Sequence, residues 1–160
     1  MVELSKTFEL TDVLATPEEV ARIADVSLRV ETLTAAKSLD ANDSDKIFML
    51  DAAAGFTVIL PAIADAGPGW RCRLVVKTDV TSNGYIITEK VANDTNIVIT
   101  NGINELEVDT SDDGPSNGGH TTITLVHNLA VAGDWLEIFC DGTNFYVTGQ
   151  TKVDGGVTLA

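Results

Sequence analysis

Alternation of apolar and charged side chains over residues 70–77, interrupted at Val75, constrains the fold more than any other feature of this sequence. Successive side chains of an extended strand point to opposite faces, so the apolar set shares one face and the charged set shares the other. The apolar set is Trp70, Cys72, Leu74 and Val76, and the charged set is Arg71, Arg73 and Lys77. The pattern predicts a half-exposed strand whose basic side chains pair with acidic residues on neighbouring strands.

Similar short runs, rich in β-branched and aromatic residues and separated by turn residues, recur along most of the chain. They lie at residues 27–33, 46–51, 56–60, 85–90, 96–100, 105–108, 121–126, 134–140 and 144–149. Asp141-Gly142, between the last two runs, is a strong signal for a β-hairpin. The spacing predicts a mostly β fold, which we expect to be an antiparallel β-sandwich or a β-barrel-like domain.

One short N-terminal helix is predicted ahead of these strands. Thr16 is a suitable N-cap, Pro17 suits the first helical position, and Glu19 completes a capping box. The β-branched residues that follow residue 25 end the helix. We therefore expect an N-terminal arm and short helix over residues 1–25, a β domain over 26–152 and a flexible C-terminal tail over 153–160.

Composition excludes several classes of partner. A chain of 160 residues that is 44% hydrophobic can form one domain with a sizeable core and needs no disulfide or metal to hold it. The net charge of −14 disfavours direct binding to nucleic acid, which needs clustered Lys and Arg. Apolar runs fall far short of the ~20 residues of a membrane helix, and residues 1–10 carry no secretory signal. We expect no contact with nucleic acid or membrane.

Catalytic and cofactor-binding patterns are absent from the sequence. Cys72 and Cys140 lie in apolar strand-like runs, where buried free thiols are expected. His120 and His127 are the only histidines, and neither is spaced for a catalytic triad or a zinc site. No glycine-rich phosphate-binding motif follows a strand. We predict a protein that is not an enzyme and that uses no cofactor.

Two acidic loops have carboxylates of the kind that calcium sites use. Residues 40–51 partly match a calcium-binding loop, but Asp45 occupies the position where the sharp turn of such a loop favours glycine. The second loop, residues 109–119, carries Asp109, Asp112 and Asp113. We expect plain solvated turns without metal in both.

Several aromatic residues fall on the predicted strands, where a buried set is core and an exposed set can stack on sugars. They are Trp70, Trp135, Phe139, Phe145 and Tyr146. We expect them to belong to the core, and a carbohydrate-binding β-sandwich stays as an alternative.

The texture of residues 46–149 resembles small β modules of tailed-bacteriophage virions. The strand pair formed by residues 56–61 and 69–76, with a Gly/Ala/Pro loop between them, carries the resemblance, as do residues 133–138 and the hairpin at 141–149. Such modules include head decoration (cement) proteins and tail or fibre parts. A compact chain without a long repetitive shaft is more similar to a decoration protein.

That resemblance implies a capsid-stabilising role. The chain is expected to bind the major capsid protein on the outer capsid surface of the virion, as a homotrimer, after synthesis in the host cytoplasm. The apolar residues of the arm are the expected interface with the partner: Phe8, Leu10, Val13 and Leu14. A tail or fibre module is the alternative within the same resemblance.

Overall fold

The computed structural model describes residue 16 and residues 29–90, 97–106 and 119–160. The predicted arm with its anchors Phe8, Leu10, Val13 and Leu14, and the helix expected after Thr16, lie outside these residues. The acidic loop at 109–119 lies outside them as well, except for its last residue. These predictions therefore stand as they were made.

The described part of the chain is mostly β, as predicted. Its strands are β1 (Val30–Leu33), β2 (Lys37–Ser38), β3 (Lys46–Leu50), β4 (Thr57–Ile59), β5 (Arg71–Val76), β6 (Tyr85–Thr88), β7 (Ile97–Glu105), β8 (Gly119–His120), β9 (Thr122–Leu125), β10 (Trp135–Cys140), β11 (Phe145–Thr151) and β12 (Val157–Leu159). A 3-10 turn spans Ala41–Asp43, and the single-turn helix α1 spans Ile63–Ala66.

Two sheets contain all of these strands. The larger sheet has seven strands in the order β1-β3-β5-β10-β11-β7-β8, and the smaller has five in the order β12-β9-β6-β4-β2. Each sheet ends in two edge strands, so neither closes into a barrel within the described residues. Buried side chains from both sheets belong to one hydrophobic cluster.

The expectation of purely antiparallel pairing is wrong, because both sheets are mixed. From β1 to β6 the chain alternates between the larger and the smaller sheet, adding one strand to each at every pass. Strands β1, β3 and β5 are therefore parallel to one another, as are β2, β4 and β6. A strand that returns to its own sheet after a crossover runs parallel to its predecessor, whereas a hairpin reverses direction.

Antiparallel pairing dominates the C-terminal half. The predicted hairpin is confirmed: β10 and β11 pair antiparallel, and β10 also pairs antiparallel with β5. Gly142 takes a φ of +94° in the turn, and the Asp141 carboxylate accepts hydrogen bonds from the N–H groups of Thr143 and Asn144. An Asp-Gly turn thus ties together the two central strands of the larger sheet.

The C-terminal residues form a strand where a flexible tail was expected. Val157–Leu159 pairs antiparallel with β9 as the edge strand β12. Val157 is buried, and the carbonyl of Ala160 accepts hydrogen bonds from the N–H groups of Thr121 and Thr122. The sequence carries little sign of this strand, because only two alternating apolar residues, Val157 and Leu159, follow Gly155-Gly156.

Tyr85 links the two sheets. Its side chain is fully buried on β6 of the smaller sheet. Its hydroxyl group lies 3.2 Å from the carbonyl oxygen of Leu50, at the end of β3 of the larger sheet, and 3.0 Å from the N–H of Ala52. A buried hydroxyl that is satisfied by backbone groups in this way fixes the two sheets against each other.

Candidate binding surface

Strands β3, β5, β10 and β11 lie side by side and present alternate residues away from the core. We call this surface the outer face of the larger sheet. The residues that define it are Ile47, Met49, Arg71, Arg73, Val75, Trp135, Glu137, Phe139 and Tyr146. All are half-buried or exposed, whereas the residues between them are buried. The alternation predicted for residues 70–77 is confirmed at Trp70, Cys72, Leu74 and Val76, which are all core.

Basic side chains of this face pair with acidic neighbours, as the sequence predicted. Arg73 lies directly opposite Glu137 in the β5–β10 register, and their side chains form an ion pair of 2.7 Å. Arg71 pairs with Asp45 at 2.5 Å and Lys77 pairs with Asp51 at 2.7 Å. These pairs are largely exposed, so they contribute little to folding.

Three of the aromatic residues expected in the core, Trp135, Phe139 and Tyr146, lie on the outer face instead. Phe139 is 45% exposed, and its ring stacks on that of Tyr146 with centroids 5.1 Å apart and planes 16° from parallel. Phe139 and Tyr146 are directly opposite each other on β10 and β11, at outward positions of the alternation. Trp70 and Phe145 are core residues as expected, and they pack edge to face.

Trp135 is half-buried because an arginine covers it. The guanidinium carbon of Arg73 lies 4.7 Å from the centroid of the Trp135 ring. Such a contact is attractive because the face of the indole is electron-rich. It also holds the guanidinium group in one place, between the indole ring and the Glu137 carboxylate.

A concavity of about 270 Å³ opens at the β1–β3–β5–β10 side of this face. Its lining consists of Arg29, Asp45, Lys46, Ile47, Arg71, Cys72, Arg73 and Glu137. The side chain of Lys46 points inward to Asp43, so the lining counts three cationic side chains, Arg29, Arg71 and Arg73, against the two carboxylates of Asp45 and Glu137. The chain as a whole carries −14, so a lining with more cations than anions stands out on this acidic protein.

A charged quartet, formed by Glu31, Lys37, Asp43 and Lys46, lies next to the concavity at the first strands of both sheets. Glu31, Lys37 and Lys46 occupy register positions beside the buried residues Phe48, Val58 and Cys72, so all three point inward. Lys37 lies 2.7 Å from Glu31, and Lys46 lies 2.7 Å from Asp43. The cross pairs are 3.3 and 3.4 Å long. Inward-pointing charge at sheet edges is a known defence against edge-to-edge association.

Asp43 is the most buried member of the quartet, with a side chain only 6% exposed. Burial by itself would raise the pKa of Asp43. Hydrogen bonds from Lys46 and from the backbone of Asp40, together with the charges of Lys37 and Lys46, outweigh burial and hold that pKa below its usual value. The carboxylate therefore stays ionised in the folded protein.

The carboxylates of the acidic loop at residues 40–51 take part in hydrogen bonds and ion pairs with neighbouring residues, including members of the quartet. Asp40 and Asp43 form a capping box around the 3-10 turn, and Asp45 and Asp51 pair with Arg71 and Lys77. Asp45 has a φ of +64°. The backbone therefore makes a sharp turn at the position where a calcium-binding loop would favour glycine. Among the described residues no group of three or more His, Cys, Asp or Glu side chains is placed to hold a metal ion.

The two cysteines are buried free thiols, as predicted. Burial raises the pKa of the Cys72 thiol far above its usual value, and it raises that of Cys140 as well. His127 is exposed in the turn after β9, and His120 lies on the short strand β8. The two histidines therefore lie on other elements than the two cysteines, which are on β5 and β10.

Sequence reasoning missed the quartet and the stacked Phe139–Tyr146 pair. A signal for the quartet was present in β1, where Glu31 falls on the same face as the buried Leu33. The signal for Phe139 was its alternation with the buried Ile138 and Cys140.

The described residues contain no helix that is long and apolar enough to cross a membrane.

Comparison with known proteins identifies no relative: no protein-family model, no curated protein and no solved structure matches this chain.

Proposed function

We propose that the chain is a capsid decoration protein, which binds the assembled head of a tailed bacteriophage through the outer face of its larger sheet. The observation that carries the proposal is the exposed Phe139–Tyr146 stack beside Arg71 and Arg73. Aromatic residues and arginine are the side chains that dominate the binding energy of protein interfaces. In an acidic chain, this face combines apolar contact area with the cations that a protein partner can pair with.

The proposed partner is the major capsid protein, and the proposed mechanism is binding without turnover. A protein that binds only the assembled shell stabilises that shell by mass action. Many identical contacts, each of modest strength, add up when the copies engage a lattice together. The proposed form is a homotrimer at joints between capsid subunits on the outer surface of the virion, with Phe8, Leu10, Val13 and Leu14 as further anchors.

The finer architecture that we propose is a two-sheet sandwich. Both sheets contribute to one buried cluster, and both keep two edge strands. A barrel would have to pair those edges. A sandwich has two outer faces, one on each sheet. The outer face of the larger sheet carries aromatic and basic side chains. The smaller sheet's outer face carries threonine and isoleucine, such as Ile59, Ile86 and Thr124.

Co-sedimentation with capsids of the cognate major capsid protein tests the proposal. Undecorated shells are mixed with the wild-type chain or with the double variant Phe139→Ser, Tyr146→Ser. We expect the wild type to pellet with the shells, and the variant to bind at least about 30-fold more weakly, because two contacts typical of binding hot spots are removed.

The matched control changes the opposite face with the double variant Ile59→Ser, Ile86→Ser, which should leave shell binding unchanged. Loss of binding in this control alone would move the interface to the smaller sheet. A wild-type chain that stays in the supernatant with every shell form would refute the decoration role. Immunogold label confined to tails of whole virions would establish the tail or fibre alternative in its place.

A carbohydrate-binding role is the second candidate, because a half-exposed, parallel aromatic pair can stack on a sugar ring. The tryptophans favour it less: Trp70 is buried with its indole N–H donating to the carbonyl of Asp40, and Trp135 lies under Arg73. A glycan array separates the two candidates. Glycan binding that disappears in the Phe139→Ser variant would favour this role over decoration.

A further inference from the structure

Cations are concentrated in the concavity on the outer face. Within the part of the chain that the structure describes, its lining includes the cations Arg29, Lys46, Arg71 and Arg73 and the anions Asp45 and Glu137. Lys46 faces the quartet and is held there by Asp43. Arg71 and Arg73 extend into solvent, with side chains 63% and 45% exposed. These two guanidinium groups are the chemically accessible part of the site.

Both arginines keep donors beyond their present ion pairs. Arg71 donates to Asp45 through Nε, and Arg73 donates to Glu137 through one Nη atom. A guanidinium group has five N–H donors in a planar fork that fits a carboxylate in a two-point contact. Because exposed ion pairs are weak, an incoming carboxylate can add to or replace Asp45 and Glu137 at little cost.

The position of Arg73 is set before any ligand arrives. Its guanidinium group stacks on Trp135 and pairs with Glu137, so it loses little conformational entropy when a second acceptor binds. Apolar side chains surround the cations: Ile47 lines the concavity, and Val30, which is 52% exposed, is the neighbour of Ile47 on β1. Phe139 lies opposite Arg71 on β10.

We propose that this concavity binds the carboxylate side chains of an acidic segment from another protein. The cations recognise the carboxylates, and the apolar surround of Ile47, Val30 and Phe139 contacts the aliphatic and apolar parts of the same segment. The inference rests on the proposed function for the premise that this face docks on a protein, and it adds the chemistry of the contact. Repulsion from a chain of charge −14 grows with the charge of the ligand, so it disfavours an extended polyanion such as nucleic acid more than a short acidic segment.

Fluorescence anisotropy with a fluorescein-labelled hexaglutamate peptide tests this inference on the full chain. We expect saturable binding that weakens as NaCl rises from about 50 mM to about 300 mM, since the contacts are charge pairs at the surface. The double variant Arg71→Gln, Arg73→Gln should bind at least about tenfold more weakly, because charge-assisted hydrogen bonds are lost. Circular dichroism of the variants verifies that they fold.

Lys77→Gln is the matched control. Lys77 directly follows β5, is exposed and pairs with one carboxylate, Asp51, but it is not among the residues that line the concavity. This variant should bind hexaglutamate like the wild type. An equal loss in Lys77→Gln, or no saturable binding by the wild type, would overturn the inference.

Competition experiments distinguish the source of the anion. Inorganic phosphate or a single-stranded oligonucleotide that displaces the peptide at equal charge concentration would overturn the assignment to carboxylates. Self-association that is lost in the Arg71→Gln, Arg73→Gln variant would assign the site to a second copy of this chain. Shell binding that persists in this variant, together with failure of the wild type to bind peptide, would refute the carboxylate site and leave the decoration role intact.

Discussion

At the scale of single residues, Asp43 is the side chain on which the first strands of both sheets converge. It accepts hydrogen bonds from Lys46, Lys37 and the backbone N–H of Asp40, and it lies in the 3-10 turn between β2 and β3. Removing one partner of a buried ion pair leaves the other charges uncompensated, which costs more than the pair contributes. The lysines then face each other with Glu31 as their remaining counter-charge in the quartet.

We predict that Asp43→Asn destabilises the protein by about 3 kcal/mol, measured as the free energy of unfolding in urea. The folded-state pKa of Asp43 is lowered, so its contribution is complete above the unfolded-state value of 3.8 and is lost as pH falls through the folded-state pKa. The difference from wild type should be constant between about pH 5 and pH 8 and should shrink below about pH 4. Asp65→Asn, at an exposed pair with Lys90, should change little. Equal losses in both variants would contradict the role of burial.

Gly55 and Gly67 offer a comparison between backbone conformation and steric space. Their φ angles are nearly equal, +67° and +70°, and both are unfavourable for a residue with a Cβ. A Cβ at Gly55 would lie 2.0 Å from the carbonyl oxygen of Gly84, whereas a Cβ at Gly67 would meet nothing within 4 Å.

We predict that Gly67→Ala costs about 1 kcal/mol for its φ angle alone, and that Gly55→Ala costs at least about 2 kcal/mol more. Urea denaturation of the two variants measures the difference. Equal losses would mean that the loops of residues 53–55 and 82–84 can separate without cost.

At the scale of elements, the C-terminal strand is the clearest difference between expectation and structure. Strand β12 covers one edge of β9, buries Val157 and places the carbonyl of Ala160 against two N–H groups. Burying a valine contributes about 1.5–3 kcal/mol, and each of the lost hydrogen bonds adds to that. A flexible tail would contribute nothing.

Deletion of residues 157–160 should therefore lower the free energy of unfolding by about 3 kcal/mol and increase amide hydrogen exchange along β9. Thr158→Ser changes an outward residue of the same strand and should leave both unchanged. Wild-type stability in the truncated chain would restore the interpretation of a flexible tail.

Sequence pattern predicted the strands that lie in runs rich in apolar, β-branched and aromatic residues, from the six-residue β5 and β10 down to the three-residue β4. It did not predict β2 and β8, which have two residues each, or β12, which has three. Their existence depends on pairing with neighbours that are distant in sequence.

At the scale of the whole molecule, sequence pattern predicted the β class but not the pairing directions. Alternation of apolar and polar side chains is the same in parallel and antiparallel strands. Only a hairpin signal such as Asp141-Gly142 carries direction, and the antiparallel pairing of β10 with β11 confirms it. The crossovers between the sheets after β1 to β5 left no comparable signal in their loops.

The binding surface follows the same logic. Arg71, Arg73 and their acidic partners could be predicted because β5 has charges on one face only. The stack of Phe139 on Tyr146 could not, because it requires the register of β10 against β11 and the knowledge of which face is covered. Which outward residues lie side by side on this face is known only from the assembled sheets.

Because β1 to β6 alternate between the two sheets, each strand–crossover–strand unit adds one strand to each sheet. Insertion or duplication of one such unit would widen both sheets by one strand and leave the β10–β11 hairpin and β12 in their places. The stacked rings on β10 and β11 would stay where they are, while their distance from the β1 edge would grow by about 4.8 Å for each added strand. The number of strands in this architecture can thus change while the aromatic part of the outer face stays the same.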